Sequence, residues 1–254
     1  MTALAQIQLE RGSVVAAFDV TADQAALIKG LARSFTADPA ESLSAIELHA
    51  AFIQHCVDNG SPEDAIIAVF SAFCLTYGTV TRDIHVIVQA QGLDETAARR
   101  VLKGYFSAWS IVNNCSDTNC AWPVAPLPAL FAAESTTELM ALFGGQRGLG
   151  SCMQEAAWLF DVYRPLLSDF VSRMSAFLHC ESQDKRVSSA YSKGFDVFSW
   201  LTLPDTRPDT RYQLTMAIAL PLLGLTQMMH IVVLFKTLGV SPSELVKHFK
   251  GKSH

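Results

Sequence analysis

The segment Leu214–Phe235, which contains no charged residue, constrains the fold most strongly. Its length is enough to span a bilayer as a helix. The stretch also contains Pro221, Gly224 and several polar side chains, whose backbone and side-chain groups would need partners inside lipid. A buried helix with a few polar groups that face a pocket is therefore favoured over a membrane span.

The composition predicts a globular cytoplasmic protein. The chain has 254 residues, of which 50% are hydrophobic and 17% charged, so it can bury a large core. A net charge of −5 without a basic run argues against nucleic acid or an anionic membrane as a partner. The N-terminal residues lack the pattern of a signal peptide. The six cysteines are scattered, so reduced thiols in the cytoplasm are expected.

The N-terminal part, residues 1–128, is predicted to combine two strands with several helices. Strands at Ile7–Glu10 and Val14–Phe18 flank a turn, and proline, glycine and serine positions delimit the helices. A loop at 113–128, rich in Asn, Ser, Asp and Pro, is the predicted subdivision within a single domain of residues 1–254. The predicted helices run from about Thr21 to Arg33, Glu41 to Asp58, Ser61 to Tyr77, Thr81 to Gln91 and Asp94 to Val112.

The C-terminal part, residues 129–254, is predicted to begin with a buried strand of parallel type at Leu139–Phe143. A long helix over 152–180 follows, which Pro165 should break or kink. Further helices are predicted over 184–201 and over the apolar segment 212–238, which Pro221 could divide. The predicted fold class is therefore α/β and predominantly helical, with a small parallel sheet.

Two side chains of the apolar segment are candidate catalytic groups. Gln227 and His230 are three residues apart, so they share one face of a helix. Functionally, His230 would act as a general base and Gln227 as a hydrogen-bond donor in a substrate cavity. The alternative, which is commoner for a buried histidine, is a purely structural group with its hydrogen bonds satisfied.

The cysteines offer weaker sites. Cys115 and Cys120 are separated by four residues, but no second ligand pair accompanies them, so no metal is expected. Cys152 lies at a predicted helix start, where the dipole would favour a thiolate nucleophile; an unreactive thiol is the alternative. The glycine-rich run 144–150 lacks the ending of a phosphate loop, and no cofactor is expected.

Several segments together resemble one family. The residues 138–146, ELMALFGGQ, resemble the strand and turn that open the acyltransferase domain of fungal fatty acid synthase β subunits. The segments 221–230 and 238–245 continue this resemblance, and 7–13 resembles the leading strand of the β subunit. Starter-unit acyltransferase domains of fungal polyketide synthases share the layout. The resemblance implies a partial acyltransferase-like fold.

The resemblance also implies site residues and marks two departures. Gln146 corresponds to a residue that lines the acyl pocket near the oxyanion hole, and Thr226–Gln227 corresponds to a pair found in many acyl transferases. Arg147 stands where the family has glycine. The family continues into Gly-x-Ser-x-Gly, whereas the printed sequence ends shortly after Lys250, so we expect a scaffold without the nucleophilic serine.

Three functions follow from this resemblance. The first is an accessory protein that serves a fungal-type polyketide or fatty acid synthase in trans, with the acyl carrier protein and an acyl or polyketide chain as partners. The second is a cyclase or lactone-forming release enzyme that uses His230, Gln227 and Gln146. The third is the structural half of a split synthase β subunit. Whether the protein is an enzyme stays open at this point.

Overall fold

The computed structural model describes residues 3–35, 43–114 and 152–243. The chain divides into two compact units, Met1–Pro126 and Leu127–His254. Most of the described residues are helical, and we describe each unit by itself. The candidate residue Gln146, the pair Cys115 and Cys120, and the predicted strand Leu139–Phe143 lie outside the described residues.

A β-hairpin opens the first unit. Strands β1 (Leu4–Arg11) and β2 (Val14–Thr21) pair antiparallel, and the connecting turn contains Gly12 with φ +56°. Side chains alternate between core and solvent, and Ile7, Leu9, Ala16 and Phe18 are buried. This confirms the two predicted strands. The prediction of a parallel sheet is wrong for the described residues. Their sheet is antiparallel, because strands joined by a two-residue turn can pair only in that way.

Among the described residues of this unit, five helices follow the hairpin, close to the predicted positions. A capping box sets the start of the second helix. The Ser44 backbone N–H donates to the Glu47 carboxylate, so the helix begins at Ala45 rather than near Glu41. Gly78, with φ +78°, ends the third. The helices are α1 (Ala22–Ser34), α2 (Ala45–Asp58), α3 (Glu63–Tyr77), α4 (Ile84–Ala90) and α5 (Glu95–Asn114).

Helices α2 and α5 pack closely against each other in this unit. At their crossing, a Cβ atom built on Gly104 would lie 2.4 Å from the carbonyl oxygen of Ala50, so only glycine fits there. Large aromatic side chains fill the core beside the crossing, among them Phe52 and Phe73. The close approach explains why a glycine occupies a helix interior, where it otherwise lowers stability.

The second unit begins with the long helix α6 (Cys152–Ser182). Tyr163, two residues before Pro165, has non-helical backbone angles of φ −110° and ψ 26°. This confirms the kink predicted from the proline. Within residues 152–243, three further α-helices follow, namely α7 (Val197–Thr202), α8 (Thr210–Gln213) and α9 (Met216–Leu238).

The predicted helix over 184–201 is wrong for most of its length. Ser188–Tyr191 forms a short 3₁₀ turn, and Gly194 then takes a left-handed conformation with φ +72°. Helix α7 begins only at Val197, where the Asp196 side chain accepts a hydrogen bond from the Ser199 backbone N–H. Glycine and aspartate therefore interrupt the apolar periodicity that favoured one helix.

Helix α9 is the apolar segment, and it runs without interruption past Pro221. Among the described residues it is the one helix long and apolar enough to cross a membrane, and 44% of its most apolar window is buried. Length and composition alone give weak evidence, since the core helix of a soluble protein meets the same criteria.

Candidate functional site

Three side-chain contacts hold α9 against α6. The Thr226 hydroxyl lies 3.4 Å from the Cys152 carbonyl oxygen, and the Lys236 ammonium group donates to the Leu166 carbonyl oxygen over 2.7 Å. Between them, His230 contacts Glu155. In these three contacts, residues that come later in α9 contact residues that come later in α6, so the two helices run in the same direction. Gln227 and His230 therefore lie on α9 along this contact between the two helices, which we call the seam.

His230 and Glu155 form the polar centre of this seam. The Nε2 atom of His230 lies 2.7 Å from Oε1 of Glu155, and the side chains are 45% and 44% exposed. A carboxylate that is hydrogen-bonded to one ring nitrogen fixes the orientation of the imidazole. In His230 the bonded nitrogen is Nε2, and Nδ1 is the other ring nitrogen. The sequence predicted a buried polar group, whereas the structure places His230 at the surface with its partner.

Gln227 lies one helical turn before His230 on the same side of α9 and is partly exposed. The structure thus brings together two of the three candidate catalytic residues, as their spacing predicted. Gln146 lies outside the described residues, so its place relative to His230 stays a prediction. Sequence reasoning missed Glu155, since its contact with His230 joins residues 75 positions apart.

Cys152 does not have the environment of a nucleophile. Its side chain is fully buried at the start of α6. Burial raises the pKa of the Cys152 thiol, and the Glu155 carboxylate raises it further. These effects oppose the helix dipole on which the prediction relied. These observations favour the unreactive thiol, which the sequence left open as the alternative at Cys152.

A second group that sequence reasoning missed is His49, in the core of the first unit. Its ring stacks on Phe18 with a centroid distance of 4.2 Å and meets the edges of Phe73 and Tyr77 at 5.2 and 5.8 Å. Neither ring nitrogen has a hydrogen-bond partner of good geometry. Burial lowers the pKa of His49 to about 3, and the Val69 backbone opposes this shift only in part. His49 is therefore a neutral core side chain.

An ion pair lies near the same core. Arg100 Nη1 on α5 donates to Glu47 Oε1 on α2 over 2.6 Å, and the Glu47 side chain is 7% exposed. The other carboxylate oxygen of Glu47 accepts from Ser44 in the capping box. Because both carboxylate oxygens of Glu47 accept hydrogen bonds within the protein, this ion pair holds α2 against α5 and is not a candidate ligand-binding group.

The part of the chain that the structure describes contains no group of three or more His, Cys, Asp or Glu side chains able to hold a metal ion. His85 is one of the histidines there, and its Nδ1 atom lies 2.6 Å from Oδ1 of Asp83 at the start of α4. That contact accompanies a helix cap, because Asp83 also accepts from the His85 backbone N–H.

Known proteins resemble this chain over much of its length. No protein-family model matches it. The fatty acid synthase subunit beta of Schizosaccharomyces pombe is 30% identical over 171 residues, which is 67% of this chain and 8% of that subunit. The subunit beta of Aspergillus oryzae is 27% identical over an aligned length of 258 residues, which is 98% of this chain and 12% of that subunit. The chain is a homologue of fungal fatty acid synthase β subunits.

Another relative of this β-subunit homologue is fatty acid synthase 2 of Mycosarcoma maydis, which is 34% identical over 178 residues. That match covers 67% of the β-subunit homologue and 5% of the relative. The chain therefore spans only a small part of the length of the curated relatives that it matches. These comparisons confirm the family resemblance inferred from the sequence motifs.

Proposed function

We propose that this β-subunit homologue serves a fungal-type polyketide or fatty acid synthase in trans. In this proposal it handles carrier-bound or released acyl or polyketide chains and forms no serine acyl-enzyme. The observation that supports it most is the match of 98% of the chain to the Aspergillus oryzae β subunit. The net charge of −5 favours a protein partner over nucleic acid.

The partners follow from the chemistry of such chains. A protein that handles a carrier-bound chain must contact the acyl carrier protein, so the carrier protein and the synthase are the proposed partners. The proposed location of this partnership is the cytoplasm. Chemical cross-linking of the purified chain with acyl carrier protein and with synthase subunits tests this. Absence of cross-linked product with every one of them would contradict the proposal.

The His230–Glu155 contact favours a second function, that of a cyclase or lactone-forming release enzyme. Glu155 orients the imidazole, and both side chains are about half exposed, so a substrate can reach the His230 side chain from solvent. Such a reaction requires a base that removes a proton from an enol or a hydroxyl, and it needs no covalent intermediate. Gln227 would donate to a substrate oxygen, and Gln146 is the third proposed member of the site.

Product formation in a reconstituted synthase assay tests this assignment. We expect His230→Ala to lower the rate of product formation by about 10²-fold or more, because general-base catalysis contributes on that order. His179→Ala, on the exposed C-terminal part of α6, is the matched control and should leave the rate unchanged. An unchanged rate in His230→Ala would overturn the histidine base and leave a carrier-binding role in place.

A further inference from the structure

Helix α9 exposes an apolar face on the side away from α6. Met216, Leu220 and Met228 are 56%, 42% and 47% exposed. Together with Gly224 they follow one another at intervals of four residues, so they form one line along the helix, which we call the outer stripe. A helix that is apolar on all sides is typical of a segment buried on all sides. The outer stripe is therefore a surface suited to being covered.

Gly224 supplies a second, independent observation. A Cβ atom added there would meet no atom of the described residues within 4 Å, so no close approach among those residues requires a glycine. Glycine in a helix interior lowers helix stability relative to alanine. A glycine between Leu220 and Met228 leaves a notch into which another backbone can pack closely, as small residues do where helices approach each other. The notch leaves room for the backbone of another element to pack closely against α9.

A membrane fits the outer stripe less well than a protein. Helices that lie on a membrane surface carry Lys or Arg beside the apolar face and are attracted to anionic lipids. No charged residue occurs from Leu214 to Phe235, and the chain has a net charge of −5. The seam beside the stripe carries the His230–Glu155 pair, which is a polar contact at the rim of the face.

We propose that the outer stripe is the docking surface for a polypeptide of the fatty acid synthase β-subunit type, which applies an apolar face to α9. The stretch of the Aspergillus oryzae β subunit that aligns with 98% of this chain is 12% of that subunit, so most of the subunit lies outside the match and can supply the covering face. This inference rests on the proposed function in trans and names the contact that the partnership uses.

Complementation tests the proposal. The full chain, carrying an affinity tag, is co-expressed with the Aspergillus oryzae β subunit from which the matched stretch has been deleted. We expect the two to elute together, with about tenfold more soluble subunit than in its expression alone. Leu220→Glu and Met228→Glu should each lower this recovery by about tenfold, because a charge in the centre of an apolar contact is desolvated without a partner.

Further variants make the result interpretable. Leu75→Glu, on the 74% exposed leucine of α3, introduces the same charge elsewhere and should leave recovery unchanged. Gly224→Leu fills the notch; we expect it to lower recovery by about tenfold without lowering the melting temperature of the chain, since leucine favours a helix. Circular dichroism confirms that each variant is folded.

Three results would overturn the docking surface. No recovery of the subunit by the folded wild-type chain is one. A dimer of the chain alone, dissociated by Leu220→Glu, would assign the stripe to a second copy, and co-sedimentation with phosphatidylcholine vesicles would assign it to a membrane. If the chain cross-links to carrier protein but fails to complement, the proposed function stands and this contact fails.

Discussion

His49 makes the stability of the first unit depend on pH, because aromatic side chains bury its ring. Its pKa falls from an ordinary 6.5 to about 3 in the folded protein because burial disfavours the charged ring. Between about pH 6.5 and about pH 3, the unfolded chain binds a proton at His49 and the folded chain does not. His49 therefore costs no stability above about pH 6.5, and it lowers the free energy of unfolding as the pH falls from 6.5 toward 3.

The predicted size of this effect is about 2 kcal/mol between pH 7 and pH 5. Urea unfolding of the wild type and of His49→Phe at the two pH values measures it. Phenylalanine has no titrating group and stacks in a similar way, so the free energy of unfolding should lose about 2 kcal/mol of its pH dependence. His179→Ala, at an exposed position, should keep the wild-type dependence. Equal pH dependence in all three proteins would show that His49 does not control it.

The candidate site shows at residue scale what a sequence can and cannot predict. Helical spacing correctly placed Gln227 beside His230, since that relation is local. The exposure of His230 was not predictable, because the apolar residues around it along the chain indicated a buried helix. Its partner Glu155 and the aromatic neighbours of His49 come from distant positions, and no local pattern reports such contacts.

At the scale of the helix, the crossing of α2 and α5 depends on Gly104. An alanine there would place its Cβ atom 2.4 Å from the Ala50 carbonyl oxygen, so the two helices would have to move apart. We expect Gly104→Ala to lower the free energy of unfolding by about 2 kcal/mol, although alanine favours a helix. Denaturant unfolding measures this loss.

Gly30 in α1 is the matched control for that substitution. A Cβ atom added to Gly30 meets nothing within 4 Å, so Gly30→Ala should raise the free energy of unfolding by about 0.5–1 kcal/mol. The same chemical change thus has opposite signs at two helical positions of one unit. A stabilising Gly104→Ala would show that the helices separate there without loss.

The elements that the sequence predicted well have strong local signals. The hairpin has alternating apolar residues around Gly12. The start of α2 was predicted near Glu41, too early along the chain, because the prediction did not use the capping box of Ser44 and Glu47. The helix predicted over 184–201 failed because periodicity alone outweighed the turn-forming Gly194 and the capping Asp196. Even so, the kink at Pro165 followed directly from the residue type.

The whole molecule contains two compact units, each with buried apolar residues of its own. The hydrophobic pattern predicted most of the helices in each unit. Each unit also contains a tryptophan that can report its unfolding. Trp109 lies on α5 in the first unit, and Trp200 is buried on α7 in the second.

A substitution at the α2–α5 crossing should therefore act in its own unit. In two variants that retain only Trp109 or only Trp200, with the other tryptophans replaced by phenylalanine, Gly104→Ala should lower the urea midpoint reported by Trp109. The midpoint reported by Trp200 should stay in place, because the clash with Ala50 lies entirely within the first unit. If both midpoints fall by the same amount, the units unfold in one cooperative step, and the destabilisation of either is shared by the whole chain.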